Sequence, residues 1–189
     1  MLVVFSARAE DQLPPDGSEM AKAKLSTAPL GNLKSGDSMK SPGYRMESVE
    51  ISDWEAADLP KGTSFGLRFK SMSLPGGGKG DYTISKKLPP DFKMLGGWFY
   101  VSPDTTLKQI GFQIQEAGGE YFLMTFPADF TGWKWLEGTR EEIKPMIPTE
   151  KSGHDGIFDQ PTTRVSVVWF SKDANLAEVG VAGLTVAGE

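Results

Sequence analysis

The chain has 189 residues, 39% of them hydrophobic and 24% charged, with a formal net charge of −5: enough for one sizeable core, short for two ordinary domains. The acidity argues against a basic nucleic-acid surface or a polybasic membrane contact, and no run approaches the roughly 20 apolar residues of a spanning helix. Cysteine is absent, which removes disulfides, thiolate nucleophiles and Cys-ligated metal centres but leaves the compartment open, since many exported bacterial proteins also avoid it.

The chain begins "MLVVFSARAED", where Ala7-Arg8-Ala9 has the small-x-small spacing of a signal-peptidase site behind Leu2, Val3, Val4 and Phe5. That apolar run is too short for a signal peptide, so it is either the end of a longer leader or a chance match. From Glu10 to about Gly43 the sequence is poor in aromatic and β-branched residues and rich in Pro, Gly, Ser and Lys. Such a segment buries too little apolar surface to offset its ordering entropy, and it reads as a tether or loosely docked arm with one helical turn over 20–24. Residues 1–43 are therefore an expected arm and 44–189 the expected domain.

After Tyr44, short runs of β-formers alternate with turn signals at spacings near those of an antiparallel sandwich or barrel. Strands are predicted over 45–52, 64–72, 81–88, 96–102, 107–115, 120–126, 133–137, 163–170 and 177–186. The stretches between them, such as "SLPGGGKGD" and "SPDTT", carry Gly, Pro or Asp where a chain reverses. "PGGGKGDY" lacks the order of a phosphate loop and precedes a strand, so it reads as a long β-turn. The segment 137–162 is expected to cross the domain as a loop.

Period-two alternation assigns faces. In "SFGLRFK", Phe65, Leu67 and Phe69 share one side and Arg68 and Lys70 the other; in "KQIGFQIQ", Ile110, Phe112 and Ile114 oppose Gln109, Gln113 and Gln115. A strand that turns glutamines rather than charges away from the core is unusual for a merely solvated surface, and the amides suit neutral polyhydroxyl ligands because they both donate and accept.

The run "GGWFYVSPDTTLKQIGFQIQEAGGEYF", followed by "DFTGWKW" and "TRVSVVWFSKDANLAEVGVAGLTV", resembles the jelly-roll carbohydrate-binding modules of the galactose-binding-like superfamily. The resemblance covers about residues 44–187 and implies an all-β antiparallel sandwich that binds a polysaccharide and does no chemistry. Where those modules often carry Asp near the last strand, this chain has Ala182 and Gly183. A structural calcium ion, common in the superfamily, is thereby a possibility and not a prediction; Glu47, Glu50 or Glu178 would supply oxygens, though their spacing does not demand it.

Aligned with that pattern, Phe99 and Val101 point inward and Trp98 and Tyr100 outward. Sugar rings present a face of C–H bonds that packs on a flat π system, which gives outward aromatics a purpose; the alternative is that the 137–162 loop or the N-terminal arm covers them. Trp133 and Trp135 leave the same face of their strand. Trp133 matches a packing position of the resembled modules and Trp135 a slot that is usually polar there, so Trp135 is expected to form the lip of a ligand groove. Tyr121, beside a Gly-Gly-Glu turn, is a further wall or a sheet-edge Tyr. The expected ligand site is thus Trp98, Tyr100, Tyr121 and Trp135 for stacking, with Gln113 and Gln115 reading hydroxyls. Trp54 and Trp169 are expected in the core.

His154, the only histidine, sits in a Gly-flanked loop and is expected to be an ordinary surface residue. "ESVEISDWEAAD" is the densest acidic cluster, but Ser52 stands where the E-x-D-x-x-E spacing of jelly-roll β-glucanases needs Asp. The expectation is a non-catalytic module for a neutral polysaccharide, secreted or periplasmic. Two other classes stand beside it: an assembly or adhesion sandwich, and a hydrolase or lyase with an unrecognised carboxylate pair.

Overall fold

The structure, a computed structural model, describes residues 14–30, 43–85, 87–148, 154–159 and 161–188. The Ala7-Arg8-Ala9 reading lies outside them. Among the described residues are one short helix, α1 (Glu19–Ala23), and eleven strands: β1 (Ser26–Pro29), β2 (Met46–Asp53), β3 (Gly66–Ser73), β4 (Lys79–Ser85), β5 (Met94–Val101), β6 (Leu107–Glu116), β7 (Tyr121–Pro127), β8 (Gly132–Thr139), β9 (Lys144–Pro145), β10 (Thr162–Ser171) and β11 (Leu176–Gly188). All nine strands expected from the sequence form within about three residues of the predicted ends, because each has its own alternation and its own turns.

Two antiparallel sheets pack face to face. The first runs β2-β3-β11-β5-β8, with β1 also on β11; the second runs β4-β10-β6-β7-β9. Leu67, Phe69, Phe99 and Val101 of the first sheet meet Phe112, Ile114, Tyr82 and Trp169 of the second in one apolar cluster. Phe99 and Phe112 meet edge to face at 5.4 Å, and Phe69 packs on Trp169 at 5.1 Å. Burying each such side chain contributes about 1.5–3 kcal/mol, so this layer holds the sheets together. Trp169 is core, as expected, and its indole N–H donates to Ser71 Oγ at 3.1 Å. Gly80 makes room for it: a Cβ there would lie 2.2 Å from the Trp169 ring.

Three features depart from the sequence expectations. Part of the arm is ordered against the sandwich: β1 pairs with β11 from Ser26↔Gly188 to Pro29↔Thr185. The helical turn forms at Glu19–Ala23, with Ser18 Oγ accepting from the Ala21 N–H. Residues 31–42 lie outside the described ones. The 137–162 segment is not all loop, since it carries a 3-10 turn at Arg140–Glu142 and β9, which pairs with β7. Finally, Gly183, noted from sequence only for the Asp it replaces, has a left-handed φ of +55° where the β11–β5 register shifts between Ala182 and Thr185. A backbone bulge sets the residue type there.

Candidate functional site

Strand parity puts the expected site residues on two opposite surfaces. Trp98, Tyr100 and Trp135 lie on the outer face of the first sheet, where β5 and β8 pair Trp98 with Trp135 and Tyr100 with Trp133. Gln113, Gln115 and Tyr121 lie on the outer face of the second, where Gln115 pairs with Tyr121 across β6 and β7. Phe99 and Phe112 point into the shared core, so their neighbours on each strand point away from it and from each other. The six residues cannot form one site with the whole sandwich between them.

On the first sheet the rings are packed on one another. Trp54, expected in the core, instead covers this face, with its ring 4.5 Å from Tyr100 and 5.0 Å from Trp133. The Trp133 indole donates to the Asp58 carbonyl at 2.8 Å, so the 54–58 segment is fastened over it, as a framework role requires. Trp98 and Trp135 meet edge to face at 5.8 Å. Trp135 also packs on a small cluster of Met20, Met94 and Ala187, and its indole N–H is buried without a protein acceptor. The Glu137 carboxylate accepts the Glu19 and Met20 N–H groups and so fixes α1 beside Trp135. Trp135 is therefore the floor under α1 and not an open lip, and the arm does the covering.

The outer face of the second sheet is polar. Along β6 the outward residues Gln109, Gly111, Gln113 and Gln115 span roughly 20 Å at the usual strand rise. Gln113 is 1% exposed, and its Oε1 accepts from Lys79 Nζ at 2.6 Å. Its amide is turned to a lysine inside the face and not to solvent, where the sequence expectation had it reading hydroxyls. Lys79 also pairs with Asp81 at 3.4 Å. Thr83 and Ser166 hydroxyls meet at 3.3 Å. At the far end the Arg164 guanidinium lies over the Tyr121 ring at 5.4 Å, its Nε buried without a protein acceptor, and Gln115 beside it is half-buried.

A groove of about 480 Å³ opens on the Lys79 side, lined by Tyr44, Arg45, the Gly76–Gly78 turn, Lys108, Met146, Ile147, Phe170 and Ser171. Tyr44, 69% exposed, and Ile147, 47% exposed, are large apolar groups left in water at its rim. Sequence reasoning missed these residues because they come from a turn, a loop and three strand ends. The one usable signal was the glycine run: Gly76 and Gly77 have φ of +83° and +80°, and a Cβ on Gly77 would strike the Ser171 carbonyl at 2.4 Å. The run is a β-turn, as the sequence indicated, and it is also a groove wall.

Among the described residues no group of three or more His, Asp or Glu converges to hold a metal ion. Glu178, one calcium candidate, is engaged by Arg68 at 2.6 Å, and Glu50 pairs in register with Lys70. His154 is on the surface with Nδ1 4.0 Å from a Glu120 carboxylate oxygen.

No family model matches the chain. One curated relative, a mannan endo-1,4-beta-mannosidase of Bifidobacterium adolescentis, is 32% identical over 141 residues, covering 67% of this chain; the match spans 14% of that protein. Among solved structures, the chain is similar to the family 11 carbohydrate-binding module of the cellulosomal cellulase Lic26A-Cel5E of Clostridium thermocellum, with a TM-score of 0.55 and 13% identity over 87% of this chain and 96% of that one. A second structure of a family 11 module from the same organism, in complex with a β-1,3-1,4-mixed-linked tetrasaccharide, matches with a TM-score of 0.54 and 14% identity over 82% and 94%. The fold is that of these jelly-roll β-sandwich modules.

Proposed function

We propose that this sandwich is a non-catalytic carbohydrate-binding module that holds a polysaccharide or oligosaccharide on the outer face of its second sheet. The observation that carries the reading is the composition of that face. The strands present Arg164 and Gln115 beside half-buried Tyr121 at one end of the face, and Lys79 and Asp81 beside half-buried Phe170 at the other, where the groove opens with Tyr44 and Ile147 at its rim. Fixed donors and acceptors between apolar walls suit hydroxyl-rich rings, whose C–H faces pack on aromatic groups while their hydroxyls replace water. The likeness to modules of this fold, one of them sugar-bound, and the partial likeness to a mannosidase support it. On this reading the domain tethers catalytic machinery to polysaccharide outside the cytoplasm, either secreted or in the periplasm.

The test is affinity electrophoresis in gels containing mannan, mixed-linkage glucan, xylan or galactan. At least one should retard the protein without releasing reducing sugar, and Gln115→Ala and Tyr121→Ala should weaken that retardation while the circular dichroism spectrum is kept. Hydrolysis of any of them would replace the module reading with an enzyme.

A further inference from the structure

We infer that the Arg45–Lys79–Lys108 end of the groove takes an acidic sugar, a unit bearing a carboxylate or a sulfate ester. This rests on the proposed binding role and deepens it by naming the ligand's charge. Three cations from three separate elements, the turn before β2, the start of β4 and the start of β6, line one groove, and among the described residues no acidic side chain lines it with them. The chain as a whole carries −5, so this local positive charge runs against the composition. Asp81 offsets Lys79 in part, which leaves the groove positive by Arg45 and Lys108.

The cations are also positioned. Lys79, which lines the groove, is held by the buried amide oxygen of Gln113, and Arg45 is fastened to the Pro75 carbonyl. A guanidinium and two ammonium groups match an anionic oxygen cluster in charge and hydrogen-bonding sense, and a guanidinium engages two oxygens at once. Tyr44, Phe170, Met146 and Ile147 line the groove beside the cations and offer apolar surface to the C–H face of a sugar ring.

The full chain is run in gels containing polygalacturonate (carboxylate), a carrageenan (sulfate), or neutral galactan and mixed-linkage glucan, at low salt and at roughly 0.5 M NaCl, where screening is nearly complete beyond contact distance. Retardation by one or both polyanions is expected, and which gel retards assigns the anion. The double variant R45Q/K108Q should weaken it on the order of tenfold. The control K70Q/K134Q removes the same charge from outside the groove and should leave it unchanged. Because the protein is net negative, general attraction to a polyanion is not available as an explanation. Retention by neutral gels alone, or equal loss in both double variants, overturns the acidic-sugar assignment and leaves the module reading intact. Retention by none of the gels, with the fold kept, overturns both.

Discussion

At Gln113 the amide oxygen accepts the Lys79 ammonium inside the second sheet's outer face, and this one hydrogen bond decides what the glutamine is for. A glutamine that is buried with its amide oxygen on a lysine is turned away from solvent, whereas the lysine it holds lines the groove. The indoles invite the same question. Trp98 and Trp135 meet edge to face, and Trp135 carries α1, so Trp135 does not offer the free flat surface that stacking on a sugar needs. Trp135→Ala is expected to lower stability by about 2 kcal/mol, roughly half the cost of emptying a fully buried Trp site, while leaving retention in polysaccharide gels intact. Urea denaturation and the gels together check this; loss of retention with stability preserved would return the ligand to the first sheet.

At the scale of elements, the turn between β3 and β4 and the turn between β10 and β11 are fastened to each other. Asp173 Oδ1 accepts the Gly76 N–H at 2.9 Å and the Ala174 N–H at 2.8 Å. These bonds, that from Gly76 first, favour the charged carboxylate and hold its pKa below the ordinary aspartate value. The sign follows: a lowered folded-state pKa adds stability above the ordinary aspartate range, and that contribution is lost as the pH falls through the lowered value. Gly76 lines the groove, so acid should loosen the groove wall before the sheets. The Gly76 amide resonance is expected to titrate with a midpoint below the usual Asp range in the native protein and to stay flat in Asp173→Asn, whose amide oxygen still accepts the bond without a charge to lose. A midpoint at or above the usual range would mean that the carboxylate is not held there. The nine long strands were legible in sequence at this scale because alternation and turn residues are local. β1 and β9 were not: "STAP" and "KP" have no pattern of their own and become strands only because β11 and β7 offer open edges to them.

For the whole molecule, the layer where Phe99 meets Phe112 and Phe69 meets Trp169 ties the two sheets into one unit. Phe112→Ala should therefore cost about 3–5 kcal/mol. Indole fluorescence from the first sheet's outer face and far-ultraviolet circular dichroism should still lose structure in a single coincident urea transition; separated transitions would mean that the sheets fold independently. At the same scale the charge distribution matters more than the total. A net −5 describes solubility, but the groove lined by Arg45, Lys79 and Lys108 has the opposite sign, because those residues lie far apart in the chain and only the sandwich gathers them.

The amino-acid order by itself determined the sandwich, the inward rows of Leu67 and Phe69 and of Ile110, Phe112 and Ile114, and the outward direction of Trp98, Tyr100, Gln113 and Gln115, since side-chain parity along an extended strand is a covalent fact. It did not determine which outward rows share a surface. That depends on which strands pair, and β5 with β8 and β6 with β7 sent the tryptophans and the glutamines to opposite sides of one core. Tertiary structure alone also decided that α1 lies over Trp135 and that a turn, three strand ends and a loop close into a groove. Contacts between residues distant in sequence leave no periodic trace along the chain.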